Sequence, residues 1–163
     1  MNRRLIIMRH AKSAWHTDAA TDHDRPLNER GQRDAPRVAS ALAELGWSPE
    51  LTVSSDSTRT RQTFELMRPA FRGPVTVRFT RRLYHASLDA VRDELADVGD
   101  ALRTVMVIGH NPGWEEMLAR LCGQDRRMTT ANAALLTIDA PSWSDALDRY
   151  AWTLTRLLRP KEL

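Results

Sequence analysis

Residues 4–13 read RLIIMRHAKS, and this stretch decides the fold. Leu5, Ile6, Ile7 and Met8 form a short continuous apolar run. Such a run suits a strand buried on both faces, as in a parallel sheet. It stops at Arg9-His10, two ionisable side chains that a core strand cannot easily hide. Open α/β sheets place ligands at the carboxyl ends of their strands. An arginine beside a histidine at such an end suits an anionic substrate, with the imidazole available as nucleophile, acid or base.

Working outward, residues 14–28 carry Trp15, His16, Asp18, Asp22, His23, Asp24, Arg25 and Pro26 with no apolar period. They read as a long polar loop, a kind of segment that often carries function. Helical spacing of Ala35, Val38, Ala39 and Leu42 predicts a helix over Glu29–Leu45, stopped by Gly46. Leu51–Val53 predicts a second strand. Ser54-Ser55-Asp56-Ser57 supplies several possible caps, Ser54 and Ser55 foremost, for a helix from about Ser57 to Met67, which ends before Pro69. Val75–Phe79 alternates as a third strand, and Leu88–Leu102 reads mostly as an amphipathic helix. Thr104–Ile108 is the second strongly apolar strand, followed by Gly109-His110-Asn111-Pro112-Gly113. Trp114–Leu121 predicts a helix ending near Gly123, and Ala133–Ile138 a further strand. Tyr150–Leu157 reads as strand or helix, because its period decides neither; Pro141 and Trp143 lie in a loop or short helical turn before it. Strands alternating with helices predict a three-layer α/β/α sandwich with a largely parallel central sheet. The length of 163 residues implies one domain over residues 1–163.

Composition narrows the function classes. Hydrophobic residues make up 42% and charged residues 28%, ordinary for a soluble globular protein. No apolar run approaches the roughly 20 residues that cross a bilayer, so no membrane association is expected. The apolar stretch near the start is too short for a signal peptide, and a cytoplasmic monomer is expected. Cys122 is the single cysteine, so it forms no internal disulfide and no CxxC metal site, and it reads as a small filler on a helix. Lys12 and Lys161 are the only lysines, leaving 22 arginines among the 24 basic residues. Base composition of the coding DNA or affinity for phosphate accounts for that excess. The basic residues are interleaved with acids, without the block or basic–aromatic stripe of a nucleic-acid binder.

Two strands end alike, one in Arg9-His10 and one in Gly109-His110. In a parallel sheet both ends lie on one edge. A third strand end supplies Ser54 and Ser55, then Arg59 and Arg61 at a helix start, where the helix dipole itself favours anions. Two histidines, at least two arginines and a dipole end together suit a phosphoryl group.

Arg9-His10-Ala11 resembles the Arg-His-Gly hallmark of the histidine phosphatase superfamily, also called phosphoglycerate mutase-like. Arg-His-Ala-Lys-Ser, followed by Asp24-Arg25-Pro26-Leu27-Asn28-Glu29-Arg30-Gly31, is similar to its phosphohistidine phosphatase SixA-like branch. Ser54-Ser55 with Arg59-Thr60-Arg61-Gln62-Thr63 resembles the family's second motif, and Gly109–Gly113 its third. The four motifs run in the family's order from residue 4 to about residue 121. The resemblance implies a phosphatase in which His10 forms a phosphohistidine intermediate while Arg9, Arg59 and His110 clamp the phosphoryl oxygens. It implies neither metal nor other cofactor. Ser13, Arg61, Asn111 and His85 are the candidate substrate-binding residues.

Relatives that cleave phosphate esters generally use a carboxylic acid in the central segment or directly after the second histidine. Here those places read Arg81-Arg82-Leu83-Tyr84-His85-Ala86 and Asn111. A nitrogen leaving group departs readily without such an acid, which favours a phosphoramidate such as phosphohistidine on a protein. Asp18, Asp22 or Asp24 of the long loop is the other source of a proton, with His85 a weaker one. A short chain also leaves little to build a lid. A protein phosphohistidine phosphatase is therefore the leading expectation, with a phosphorylated protein as partner. A phosphatase for small phosphorylated molecules and a non-catalytic phosphate-binding module remain as alternatives.

Overall fold

Successive side chains of strand β1 (Asn2–Arg9) feed opposite cores. Leu5 and Ile7 pack into one apolar cluster, Ile6 and Met8 into another, as the two-residue period of a strand requires. All four are fully buried, each worth roughly 1.5–3 kcal/mol relative to exposure. The computed structural model describes residues 1–163.

Helices α1 (Glu29–Glu44) and α2 (Thr58–Met67) supply Val38, Leu42, Phe64 and Met67 to the core of Ile6 and Met8. Helices α3 (Leu88–Leu95), α4 (Gly113–Cys122) and α5 (Trp143–Asp148) supply Val91, Leu118 and Trp143 to the other. Between them lies one six-stranded sheet in the order β3 (Thr76–Thr80), β2 (Leu51–Ser55), β4 (Thr104–Gly109), β1, β5 (Ala133–Asp139), β6 (Thr153–Leu158). Strands β1 to β4 are parallel, and only β5 runs against its neighbours. The fold is thus the largely parallel three-layer sandwich that the sequence predicts.

The order positions the site. β1 and β4 are adjacent and in register, Arg9 opposite Gly109, so His10 and His110 emerge side by side. The chain leaves β1 for α1 on one face and β4 for α4 on the other. Adjacent parallel strands whose helices depart to opposite faces leave a crevice at their carboxyl ends. β2 flanks β4 on the far side, which brings Ser55 to the same edge.

One local expectation is corrected and two open ones are decided. The helix expected over Leu88–Leu102 ends at Leu95. Beyond it Val98 and Leu102 still pack against the core, carried by tight turns in which their N–H groups donate to Leu95 and Gly99. The apolar spacing was satisfied without helical backbone. Of the four possible caps Ser57 is the one that caps α2, its hydroxyl accepting from the Thr60 N–H, and Ser54 and Ser55 lie in β2. The undecided Tyr150–Leu157 segment becomes edge strand β6 from Thr153, after α5 has turned the chain. Cys122 sits at the end of α4, half-buried against the core. No helix is long and apolar enough to cross a membrane.

Candidate active site

The strand ends meet in a cleft of about 210 Å³ lined by Arg9, His10, Ser13, Arg59, His85, His110 and Asn111 among the expected residues. The rings of His10 and His110 lie 5.3 Å apart, centroid to centroid, at 50°. The backbone of His10 is held on both sides. Its N–H donates to the Gly109 carbonyl and its carbonyl accepts from Ala131. The following Ala11 N–H donates to Thr63 Oγ1 of α2 at 3.0 Å. Close approach helps to fix both strand ends. A Cβ on Gly31 would stand 2.2 Å from the Lys12 carbonyl oxygen, and one on Gly113 1.8 Å from that of Ala86. Glycine therefore lets α1 and α4 start directly against the cleft walls.

Hydrogen bonds set the histidine tautomers. Nδ1 of His10 lies 2.7 Å from the Ala11 carbonyl, which can only accept, so Nδ1 carries the proton and Nε2 keeps its lone pair. Burial pushes the His10 imidazole down to about 3, and the charges of Arg59, Arg9 and Arg25 reinforce this. His110 is placed differently. Arg59 Nη2 donates to its Nδ1 at 3.2 Å, so Nε2 holds the proton and donates to Ser55 Oγ at 2.9 Å. Burial, with help from His10 and Arg59, pushes this ring down to about 2. Both rings are neutral at pH 7.

The arginines are cations with donors to spare. Arg59 is 2% exposed, and its Nη atoms donate to the Asp22 carbonyl, the Asp22 carboxylate and His110. Arg9 Nη1 donates to the Met128 carbonyl at 3.0 Å. Each of the two keeps a buried Nε–H with no partner. A buried donor left unpaired costs about 1–3 kcal/mol, so two of them in one cleft mark a place suited to an anion's oxygens.

Ser13 Oγ accepts from Arg25 Nη1 at 3.0 Å, which leaves its own hydroxyl hydrogen for a ligand. Asn111 spends its amide on Glu115 and the Met128 carbonyl, and its oxygen accepts from the Glu115 N–H, so it shapes the start of α4. His85 stands at the rim in a left-handed conformation, φ 52°, its ring 4.9 Å from that of His110. Arg61 does not join the cleft. Two positions beyond Arg59 on a helix is the opposite face. Its guanidinium instead lies over Phe79, 4.4 Å from the ring centre, and bonds the Asp56 carbonyl.

The residue that sequence reasoning placed least firmly is the hub. Asp22 reaches in from the long loop, whose base is pinned by pairing of Ser13 with Leu27. Its Oδ1 accepts from Arg25 Nε at 3.0 Å. Its Oδ2 accepts from Arg59 Nη2 at 3.1 Å and the Tyr84 hydroxyl at 2.5 Å, with His85 Nε2 at 3.3 Å. Partial burial works to push the Asp22 carboxyl up, but the Tyr84 hydrogen bond and the arginines outweigh it and hold it well below the usual carboxylate range. Burial and Asp22 together push the Tyr84 hydroxyl up, so it stays protonated. Asp18 and Asp24 stay outside the cleft; Asp24 accepts from the Thr21 hydroxyl. His23 fastens the loop to the approach of α2 through Asp56 Oδ1, at 2.7 Å. Lys12, Trp15, Arg25 and Thr130 also line the cleft. Lys12 and Arg25 lie inside the quoted motifs, whereas Thr130 lies in a segment without periodic signal.

The sequence profile described as "histidine phosphatase superfamily (branch 1)" matches residues 5–94, more than half of the chain. The chain belongs to this superfamily. The solved structures agree in fold. The protein histidine phosphatase SixA complexed with tungstate superposes with a TM-score of 0.82 at 25% identity, covering 98% of each chain. A candidate phosphohistidine phosphatase SixA from Agrobacterium tumefaciens superposes with 0.81 at 29% identity, covering 97% of this chain and 98% of that one. Among sequences, an uncharacterized chloroplastic protein of Arabidopsis thaliana is 38% identical, covering 98% of this chain and 79% of its own. An uncharacterized protein of Mycobacterium tuberculosis is 35% identical over 85% of this chain and 90% of its own.

Proposed function

We propose that this phosphatase removes the phosphoryl group from phosphohistidine on a protein, with His10 as the nucleophile. The observation that carries the reading is the state of Asp22. It is the one carboxylate lining the cleft, and its donors hold it ionised. An ionised carboxylate has no proton to give an alkoxide. A phosphohistidine ring protonated on its free nitrogen needs none, because it leaves as neutral imidazole.

His10 Nε2 attacks phosphorus as the P–N bond to the substrate ring breaks. Neutral imidazole attacks without losing a proton first, which suits a ring held neutral by burial. Arg9 and Arg59 stabilise the charge on the equatorial oxygens through fixed donors, the main demand of phosphoryl transfer. His110, kept neutral, adds no charge beside the phosphoryl group and holds the Arg59 guanidinium through its Nδ1. Water then attacks the phosphorus on His10, releasing orthophosphate and restoring the imidazole. The similarity to SixA structures supports the substrate class, and the small volume of the cleft supports a substrate ring presented on a protein surface.

Turnover of a phosphohistidine peptide, set against sugar phosphates and p-nitrophenyl phosphate, tests the reading. The peptide should be hydrolysed with the higher kcat/KM by at least about two orders of magnitude, the size of a general-acid contribution. Faster turnover of sugar phosphates would overturn it. His10→Ala should abolish turnover and the acid-labile phosphoryl label on the enzyme.

A further inference from the structure

Thr130 lines both the active-site cleft and a second hollow of about 320 Å³ beside it. On one wall α1 presents Arg30, Arg33 and Arg37, at i, i+3 and i+7, a single face about 10 Å long by the helix rise. Lys161 lies on the same hollow. Beyond Thr129 and Lys161 a smaller hollow adds Arg127 and Arg159. No hydrophobic residue lines the groove, so it selects for charge. Asp34 is its one acid, lying 3.7 Å from Arg30 and 3.8 Å from Arg37. Four cations against one carboxylate leave an excess of three in this hollow. The cleft itself carries Arg9, Lys12, Arg25 and Arg59 against Asp22, so the excess of positive charge runs on from the cleft into the hollow.

We propose that this groove docks an acidic stretch of the phosphoprotein substrate beside its phosphorylated residue. The inference rests on the activity proposed above and names what sets its specificity. The cleft is too small to hold much beyond a phosphoryl group and part of a ring, so the rest of the substrate lies on the surface that continues from it. The spacing of the cations decides the occupant. The phosphates of a small polyanion need donors converging on one point, as Arg9 and Arg59 do. Arg30, Arg33 and Arg37 are spread along two helical turns, which matches carboxylates displayed on a protein surface. Arg33 and Lys161 are exposed and make no ion pair within the chain, so they are free to engage a partner.

The test uses the full chain and its Arg33→Glu/Lys161→Glu double variant. Neither residue belongs to the catalytic cleft. The probes are two phosphohistidine peptides of equal length, one flanked by Asp and Glu, the other by Asn and Gln, together with free phosphohistidine. The wild-type KM should be about tenfold lower for the acidic peptide at low salt, and the gap should close in high salt. The variant should lose the gap while its kcat and its turnover of free phosphohistidine stay unchanged. Equal KM values in the wild type, or a gap that survives in the variant, would overturn the proposal. So would inhibition by inorganic tripolyphosphate that the variant loses, without any peptide preference. If the wild type leaves both peptides phosphorylated, the activity fails instead. Binding of the unphosphorylated peptides to the His10→Ala enzyme, read by fluorescence anisotropy, then decides the groove separately.

Discussion

Strand β1 carries an arginine near each end, and the two are held in opposite ways. Arg3, 1% exposed, donates to the carbonyls of Asp100, Leu102, Ala140 and Pro141, which lie at the bottom of the sheet. Every nitrogen of its guanidinium has a carbonyl partner. Arg59, facing the top of the strand from α2, is as buried as Arg3, and Arg9 is half-buried, yet each of the two keeps an Nε–H unpaired. Burial alone does not separate a structural arginine from a ligand-binding one. The number of acceptors that the fold supplies does. A fully paired guanidinium closes the structure, and an incompletely paired one is held in readiness for a charge that arrives later.

The comparison breaks most sharply if the two arginines exchange effects. Arg59→Ala should lower kcat by about 10²–10³, the usual loss for one preorganised donor, with little change in Tm. Arg3→Ala should do the reverse. Loss of its charged hydrogen bonds should destabilise the fold by about 2–4 kcal/mol, read by urea unfolding, while kcat of the folded fraction stays near wild type. An Arg3→Ala enzyme with intact stability and poor turnover would invert the assignment.

Acid sharpens the contrast between the sheet's two ends. His10 and His110 are pushed down to about 3 and 2 in the folded chain, whereas the unfolded chain protonates near the ordinary 6.5. Protons therefore bind the unfolded state first as pH falls. Stability should be full above about pH 6.5 and decline from there toward pH 3. Thermal melts of His10→Ala and His110→Ala should show a shallower decline. The pH profile of kcat/KM should show no inflection near 6.5 from His10.

The smallest effect concerns Asp22. Asp22→Asn removes a negative charge beside the anion site and loosens Arg59, Arg25 and Tyr84. Inhibition by inorganic phosphate should tighten a few-fold while kcat falls a few-fold, as suits a partly exposed ion pair. Unchanged phosphate affinity would remove Asp22 from the anion's surroundings.

Much of the fold was legible because strands and helices impose different periods on apolar residues. Leu5–Met8 and Thr104–Ile108 read as buried strands and are. Leu88–Leu102 misled because a tight turn buries Val98 and Leu102 as well as a helix would. In the cleft, His10, Arg9, Arg59 and His110 were legible as strand-end and helix-start residues of known motif type. Arg61 was not separable from Arg59, because both occupy one motif and only the helix phase divides them. Tyr84 gave no signal of its own, since its importance follows from where Asp22 lands.

The sequence by itself determined five of the six strands, the charged ends of β1 and β4, and the family, since these depend on neighbours a few positions apart along the chain. Only the tertiary structure decided which of three loop carboxylates enters the cleft, which arginine keeps a free donor, and that one face of α1 continues the cleft as a basic groove. Those outcomes depend on the packing of segments far apart in sequence, where a change of direction by one residue turns a side chain from ligand to solvent.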